Sequence, residues 1–125
     1  MKPIDVRWAT HLLDQEPCTS TNTRICVMDG VSVMLLHEKP VARYTVREAG
    51  NDELSICLME EDTQLTRERV NGVLFVAHDK GMTERLCRIV RQNGVPHMRR
   101  GNELMAIMDS VVYNIPLVKS EEQAA

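Results

Sequence analysis

Apolar and polar positions recur with the period of an α-helix over residues 82–93. At about 100° per residue, the apolar side chains Leu86, Ile89 and Val90 share one arc of about 100°, the width of a stripe that faces a core. Three arginines fall on the opposite side of this helix. Thr83 suits its start, because a threonine hydroxyl accepts a hydrogen bond from the unpaired N–H groups of a first turn. The pattern predicts an amphipathic helix with a basic outer face.

Three further segments carry a helical pattern: residues 3–15, 63–80 and 102–113. The middle one is ambiguous, because its Asn-Gly pair lies inside the helix and the glycine costs about 1 kcal/mol there. Residues 73–78 can instead be read as a buried strand. We favour the helix, and the strand stays open as an alternative.

Between the first two of these helices the pattern changes to that of strands. Residues 24–28 and 31–37 flank an Asp-Gly pair, which tolerates the positive φ angles of a hairpin turn. Residues 41–48 and 53–60 alternate between apolar and polar positions. Two hairpins in succession predict an antiparallel meander of four strands. The first hairpin is apolar on both faces, which indicates burial from both sides or an interface.

Together these elements predict an α+β fold with an N-terminal helix, an antiparallel β-meander and three C-terminal helices. The alternative is an α/β C-terminal half in which residues 73–78 form a strand. Residues 1–118 are expected to form a single domain, and residues 119–125 a polar C-terminal tail.

Composition indicates an ordinary globular protein, with 43% hydrophobic and 26% charged residues among 125. The four cysteines form no C-x-x-C pair, and no apolar run approaches the roughly 18 residues of a membrane span. We therefore expect free thiols, a cytoplasmic location and no membrane association.

Charge is concentrated on one stretch of a chain whose net charge is −3. Residues 80–101 hold one acid, Glu84, and six cations: Lys80, Arg85, Arg88, Arg91, Arg99 and Arg100. Arginine forks pair with phosphates or with carboxylates, so the predicted partner is nucleic acid or an acidic protein. Helices at 63–80 and 82–93 would form a helix-turn-helix that directs arginines toward DNA. A solvated helix face is the alternative.

Candidates for catalysis are few. His78 is followed by an aspartate that could orient it as a general base, although neighbours on a helix do not face each other. The run Glu60-Glu61-Asp62 could bind a hard cation, or it could stabilise the start of a helix. No nucleotide-binding loop, nucleophile elbow or zinc spacing appears. The sequence predicts a non-catalytic accessory or regulatory binding protein without a cofactor. The alternative is a small enzyme or metal-binding protein using His78 or the Glu60–Asp62 carboxylates.

The opening M-K-P-I-D-V-R-W-A-T-H-L-L-D, with R-I-C-V-M-D-G after it, resembles small uncharacterised accessory proteins carried by enterobacterial prophages and satellite elements. The resemblance covers residues 1–30 and assigns no functional residue. It implies a bacterial cytoplasm and a mobile-element setting. Methionine-rich apolar strands also suggest a homodimer, although burial in a core explains them equally well.

Overall fold

The computed structural model describes residues 1–58 and 64–118 of the chain. In this described part it contains two α-helices, one 3₁₀ turn and nine strands. They are α1 (Pro3–Leu13), β1 (Cys18–Thr19), β2 (Thr23–Met28), β3 (Val31–Leu36), β4 (Lys39–Thr45), the 3₁₀ turn (Glu48–Gly50), β5 (Glu53–Cys57), α2 (Gln64–Asp79), β6 (Cys87–Gln92), β7 (Val95–Arg100), β8 (Glu103–Ala106) and β9 (Val112–Ile115).

The strands form two antiparallel sheets. The larger has the order β1-β2-β3-β4-β5-β9, so the last of the described strands returns to pair with β5. The smaller is a meander in the order β6-β7-β8. In the larger sheet, the turn at Asp29-Gly30 has φ angles of 49° and 77°, which is why this pair joins β2 to β3 in a two-residue hairpin.

The predicted arrangement with three C-terminal helices is wrong, because α2 is the one α-helix within the described residues 64–118. Residues 82–93 contain β6 rather than an arginine helix, and residues 102–113 contain β8 and the start of β9. The decisive signal is Asn93-Gly94, whose φ angles of 54° and 76° form a hairpin turn that joins β6 to β7. Because residues 82–93 form no helix, the predicted helix-turn-helix is wrong as well.

The α/β alternative is also wrong, since residues 73–78 lie inside α2. The glycine that weakened the helical reading has a packing role. A Cβ atom on Gly72 would lie 2.7 Å from the backbone oxygen of Asp5, so this position is where α1 and α2 approach most tightly among the glycine sites described. The cost of a glycine within a helix is offset by the close helix contact it permits.

The two helices pack on one face of the larger sheet. A row of strand partners crosses this face: Ile25, Met34, Ala42, Ile56 and Tyr113. On the other face of the sheet, Cys26 and Val33 remain half-exposed, so the first hairpin is not covered from both sides within the described residues.

The smaller sheet joins the same core through α2. Cys87, Ile89 and Met98 are buried and belong to one hydrophobic cluster with the helices and the larger sheet. Neither α1 nor α2, the helices of the described part, has the length and apolar character that a membrane crossing requires. The predicted polar tail and the Glu60–Asp62 run lie outside the described residues.

Candidate functional site

The three-stranded sheet carries the basic stretch, and its register sets which arginines meet. Arg88 on β6 lies directly opposite Arg99 on β7, and Leu104 on β8 completes the row. Both arginines are exposed, and neither pairs with a carboxylate among the described residues. Like charges directly opposite each other destabilise a sheet. The register therefore holds an unfavourable pair in place.

The geometry of this pair follows from the hydrogen bonds of Ile89. Its N–H donates to Asn71 Oδ1 at 2.7 Å, and its carbonyl accepts from Asn71 Nδ2 at 3.0 Å, so both groups point away from β7. The neighbouring Arg88 and Arg99 then form a hydrogen-bonded pair, whose Cα atoms lie about 5.5 Å apart. Their side chains leave the same face of the sheet side by side.

The rest of this outer face mixes apolar and polar groups. The second row contains Val90, His97 and Ala106, and the third pairs Gln92 with Val95. Val90 and His97 are half-buried, whereas every residue from 91 to 95 is exposed. The β6–β7 hairpin is therefore a two-stranded ribbon with an accessible tip and two cations near its base.

The six predicted cations do not form a single surface. Arg85 and Arg100 lie at the other face of the small sheet, where Arg85 Nη1 is 3.9 Å from Glu103 Oε1. Arg91 is at the ribbon tip and donates to the carbonyl of Gly94 at 3.0 Å. Lys80 lies beyond the end of α2 and pairs with Asp14 of the segment after α1. The structure thus brings together two pairs, Arg88 with Arg99 and Arg85 with Arg100, and separates the other two cations.

The catalytic alternative finds no assembled site in the part of the chain that the structure describes. His78 and Asp79 are exposed at the end of α2, and no hydrogen bond joins the imidazole to the carboxylate. No cluster of three or more His, Cys, Asp or Glu side chains in residues 1–58 and 64–118 is arranged to hold a metal ion.

Two residues of the larger sheet, Tyr44 and Cys57, have raised pKa values. Burial, together with a hydrogen bond to Asp52 and the charge of that carboxylate, raises the pKa of Tyr44 to about 12. Burial also raises the pKa of the Cys57 thiol, and the Asp109 carboxylate adds to the effect. A thiol held in its protonated form is a poor nucleophile, so Cys57 does not suggest a catalytic site.

Sequence reasoning missed two parts of the site. Asn71, which fixes β6 on α2, looked like a helix-weakening neighbour of glycine. Thr83 suits a helix N-cap by sequence, but its hydroxyl is buried and has no hydrogen-bond partner within residues 1–58 and 64–118. An unpaired hydroxyl is visible only in the structure. No family model matches this chain, and no curated protein or solved structure matches it either.

Proposed function

We propose that this chain is a non-catalytic accessory protein that binds the phosphate backbone of nucleic acid on the outer face of its three-stranded sheet. The observation that carries the proposal is the direct opposition of Arg88 and Arg99. A phosphate between two guanidinium groups relieves their repulsion, and the planar fork of arginine matches its oxygens. The pair destabilises the free protein and is favourable only when an anion is bound.

The shape of the β6–β7 ribbon favours nucleic acid over an acidic protein. A two-stranded ribbon fits the major groove of duplex DNA, and residues 91–95 at its tip are all exposed. Arg91 stands at this tip. The whole chain has a net charge of −3 although residues 80–101 hold six cations against one acid, so the remainder is acidic. The phosphate backbone is therefore attracted to this ribbon rather than to the whole surface.

The setting we propose is the bacterial cytoplasm, in the mobile-element context that residues 1–30 suggest. No disulfide joins any of the four cysteines, all of which lie in the described part of the chain, and this suits a reducing compartment. In an accessory or regulatory role, the partner of this chain is then nucleic acid, or a protein that is already bound to nucleic acid.

The test is fluorescence anisotropy of a labelled random DNA duplex with the full chain, over a series of salt concentrations. Wild-type binding should weaken steeply as salt increases. Arg88→Ala/Arg99→Ala should reduce the magnitude of the slope of log K against log salt by about 2, because each lost phosphate contact lowers that magnitude by about 0.9. A matched control is Arg24→Ala/Arg47→Ala, which removes the same charge from exposed ion pairs with Glu38 and Glu53 on the larger sheet.

Equal loss in both double variants would mean that net charge, not this surface, drives binding. No binding of the duplex even at low salt would overturn the nucleic-acid proposal. If the wild type then binds polyglutamate and the Arg88/Arg99 variant does not, the partner is an acidic protein. The solution mass in the same buffer tests the predicted homodimer.

A further inference from the structure

A second concave surface lies on the opposite face of the small sheet, independent of the proposed nucleic-acid surface. It is a cleft of about 610 Å³. Its floor is the row of strand partners Cys87, Arg100 and Glu103. Its walls are residues 83–85, which precede β6, and residues 116–118, which follow β9. The backbone N–H of Val118 donates to the carbonyl of Met82 at 2.7 Å, which joins the two walls.

Opposite charges line this cleft and are only partly paired. Arg85 and Glu103 approach at 3.9 Å, with 59% and 74% of their side chains exposed, so their attraction is weak. Arg100 is half-buried and pairs with no carboxylate among the described residues. Glu84 is exposed and likewise makes no ion pair within the described part. Two guanidinium groups and two carboxylates are thus available to a ligand.

Thr83 supplies an independent observation. The residue lines the cleft and is only 7% exposed, and its hydroxyl has no hydrogen-bond partner in the described part of the chain. Buried hydroxyl groups in folded proteins are normally hydrogen-bonded, since burial without a partner is unfavourable. The hydroxyl oxygen itself has almost no accessible surface, so a ligand in the cleft reaches it only if residues 83–85 shift.

We propose that this cleft binds a small zwitterion. Its anionic group lies between Arg85 and Arg100, and its ammonium group is held by Glu84 and Glu103. A purely anionic molecule would meet two carboxylates, and a purely cationic one would meet two guanidinium groups, so a ligand with separated charges fits best. The volume is in the range of small-molecule sites. An amino acid and a phosphorylated amine share this chemistry.

The test is an amide chemical-shift titration of the isotope-labelled full chain. The probes are glutamine and phosphoethanolamine as zwitterions, and propionate, ethylamine and inorganic phosphate as single-charge controls. We expect saturable shifts at residues 83–87 and 100–103 with one of the zwitterions, and about tenfold weaker binding of each single-charge probe. Which zwitterion binds more tightly identifies the anion as a carboxylate or a phosphate.

Variants separate this site from the proposed nucleic-acid surface. Arg100→Ala and Glu103→Gln should each weaken zwitterion binding about tenfold. Arg99→Ala is the matched control, because it removes the adjacent arginine from the opposite face and should leave zwitterion binding unchanged. Absence of saturable shifts with both zwitterions overturns the proposal, and so does equal binding of propionate or phosphate. Neither result bears on duplex binding by Arg88 and Arg99.

Discussion

The side-chain amide of Asn71 satisfies both backbone groups of Ile89, donating to its carbonyl at 3.0 Å and accepting from its N–H at 2.7 Å. Ile89 lies on β6, an edge strand of the small sheet, and its own side chain is buried. The amide therefore supplies the two backbone hydrogen bonds that a neighbouring strand would otherwise make with this edge strand. It also fixes the small sheet, with its two arginine pairs, on α2.

Asn71→Ala should consequently loosen the small sheet. It leaves two backbone groups of a half-buried contact unpaired, so we expect the free energy of unfolding to fall by about 1–3 kcal/mol. Urea unfolding measures the loss, and amide hydrogen exchange locates it, with faster exchange at Ile89 in particular. Asn114→Ala, an exposed position on β9, is the control. Unchanged exchange at Ile89 would contradict the role assigned to the amide.

The two helices are joined by a buried ion pair. Arg69 Nη1 lies 2.5 Å from Asp5 Oδ1, the two side chains are 5% and 2% exposed, and Arg69 Nε donates to Thr23 Oγ1 at 3.3 Å. Arg69→Ala strands a buried carboxylate and should lower the free energy of unfolding by about 3–5 kcal/mol. The control is Arg7→Ala, an exposed arginine of α1. If Asp5→Leu/Arg69→Met costs as much in a denaturant titration, the loss comes from packing rather than the unpaired charge.

Because of Tyr44, we expect the free energy of unfolding to depend on pH in alkaline solution. Its hydroxyl donates to Asp52 at 2.8 Å, and its pKa is about 12 in the folded chain against about 10 for an unperturbed tyrosine. Between these two values the folded state binds more protons than the unfolded state, so stability falls as pH rises through this window. Below about pH 10 the contribution is fully present.

Tyr44→Phe should therefore flatten the dependence of the urea midpoint on pH above about 10. It should also cost about 1 kcal/mol near neutrality, because the hydrogen bond to Asp52 is lost. Tyr113→Phe controls for removing a tyrosine whose hydroxyl accepts from the backbone of Met108. An identical alkaline slope in wild type and Tyr44→Phe would exclude Tyr44 as its source.

How far the sequence predicts this fold is decided by particular turns. The sequence predicts a hairpin at Asp29-Gly30, because apolar segments flank this pair on both sides, and β2 and β3 pair there. Asn93-Gly94 is the same kind of turn, but Leu86, Ile89 and Val90 also fit one helix face, and a glycine that follows such a face equally suits the end of a helix. The six residues of β6 fit both the helical and the strand period of apolar positions, and only the pairing of β6 with β7 decides between a helix and a strand.

Composition locates the candidate basic region along the chain, but it does not give the geometry of that region. A run of arginines on an acidic chain marks the region from sequence alone. Strand alternation then divides it, because Arg99 and Arg100 are consecutive and must point to opposite faces of β7. A helical reading placed Arg85 and Arg88 on one face, whereas the structure assigns them to different surfaces. The cleft beside Thr83 depends on residues 116–118, which are distant in sequence.

Because Arg88 and Arg99 lie opposite each other, we expect one substitution to raise the stability of the fold and to weaken nucleic-acid binding. Arg99→Glu places a carboxylate directly across from Arg88, so repulsion becomes attraction and the free energy of unfolding should rise by about 0.2–1 kcal/mol. The same change should abolish duplex binding, because the phosphate site becomes neutral. Arg99→Gln separates the effects, since it removes repulsion without adding a carboxylate and should stabilise less. Thermal unfolding at low and high salt measures the gain, which must shrink as salt screens the pair. Destabilisation by Arg99→Glu would show that Arg99 supports the fold in its own right, and the arginine pair would then not be a surface held for an anion.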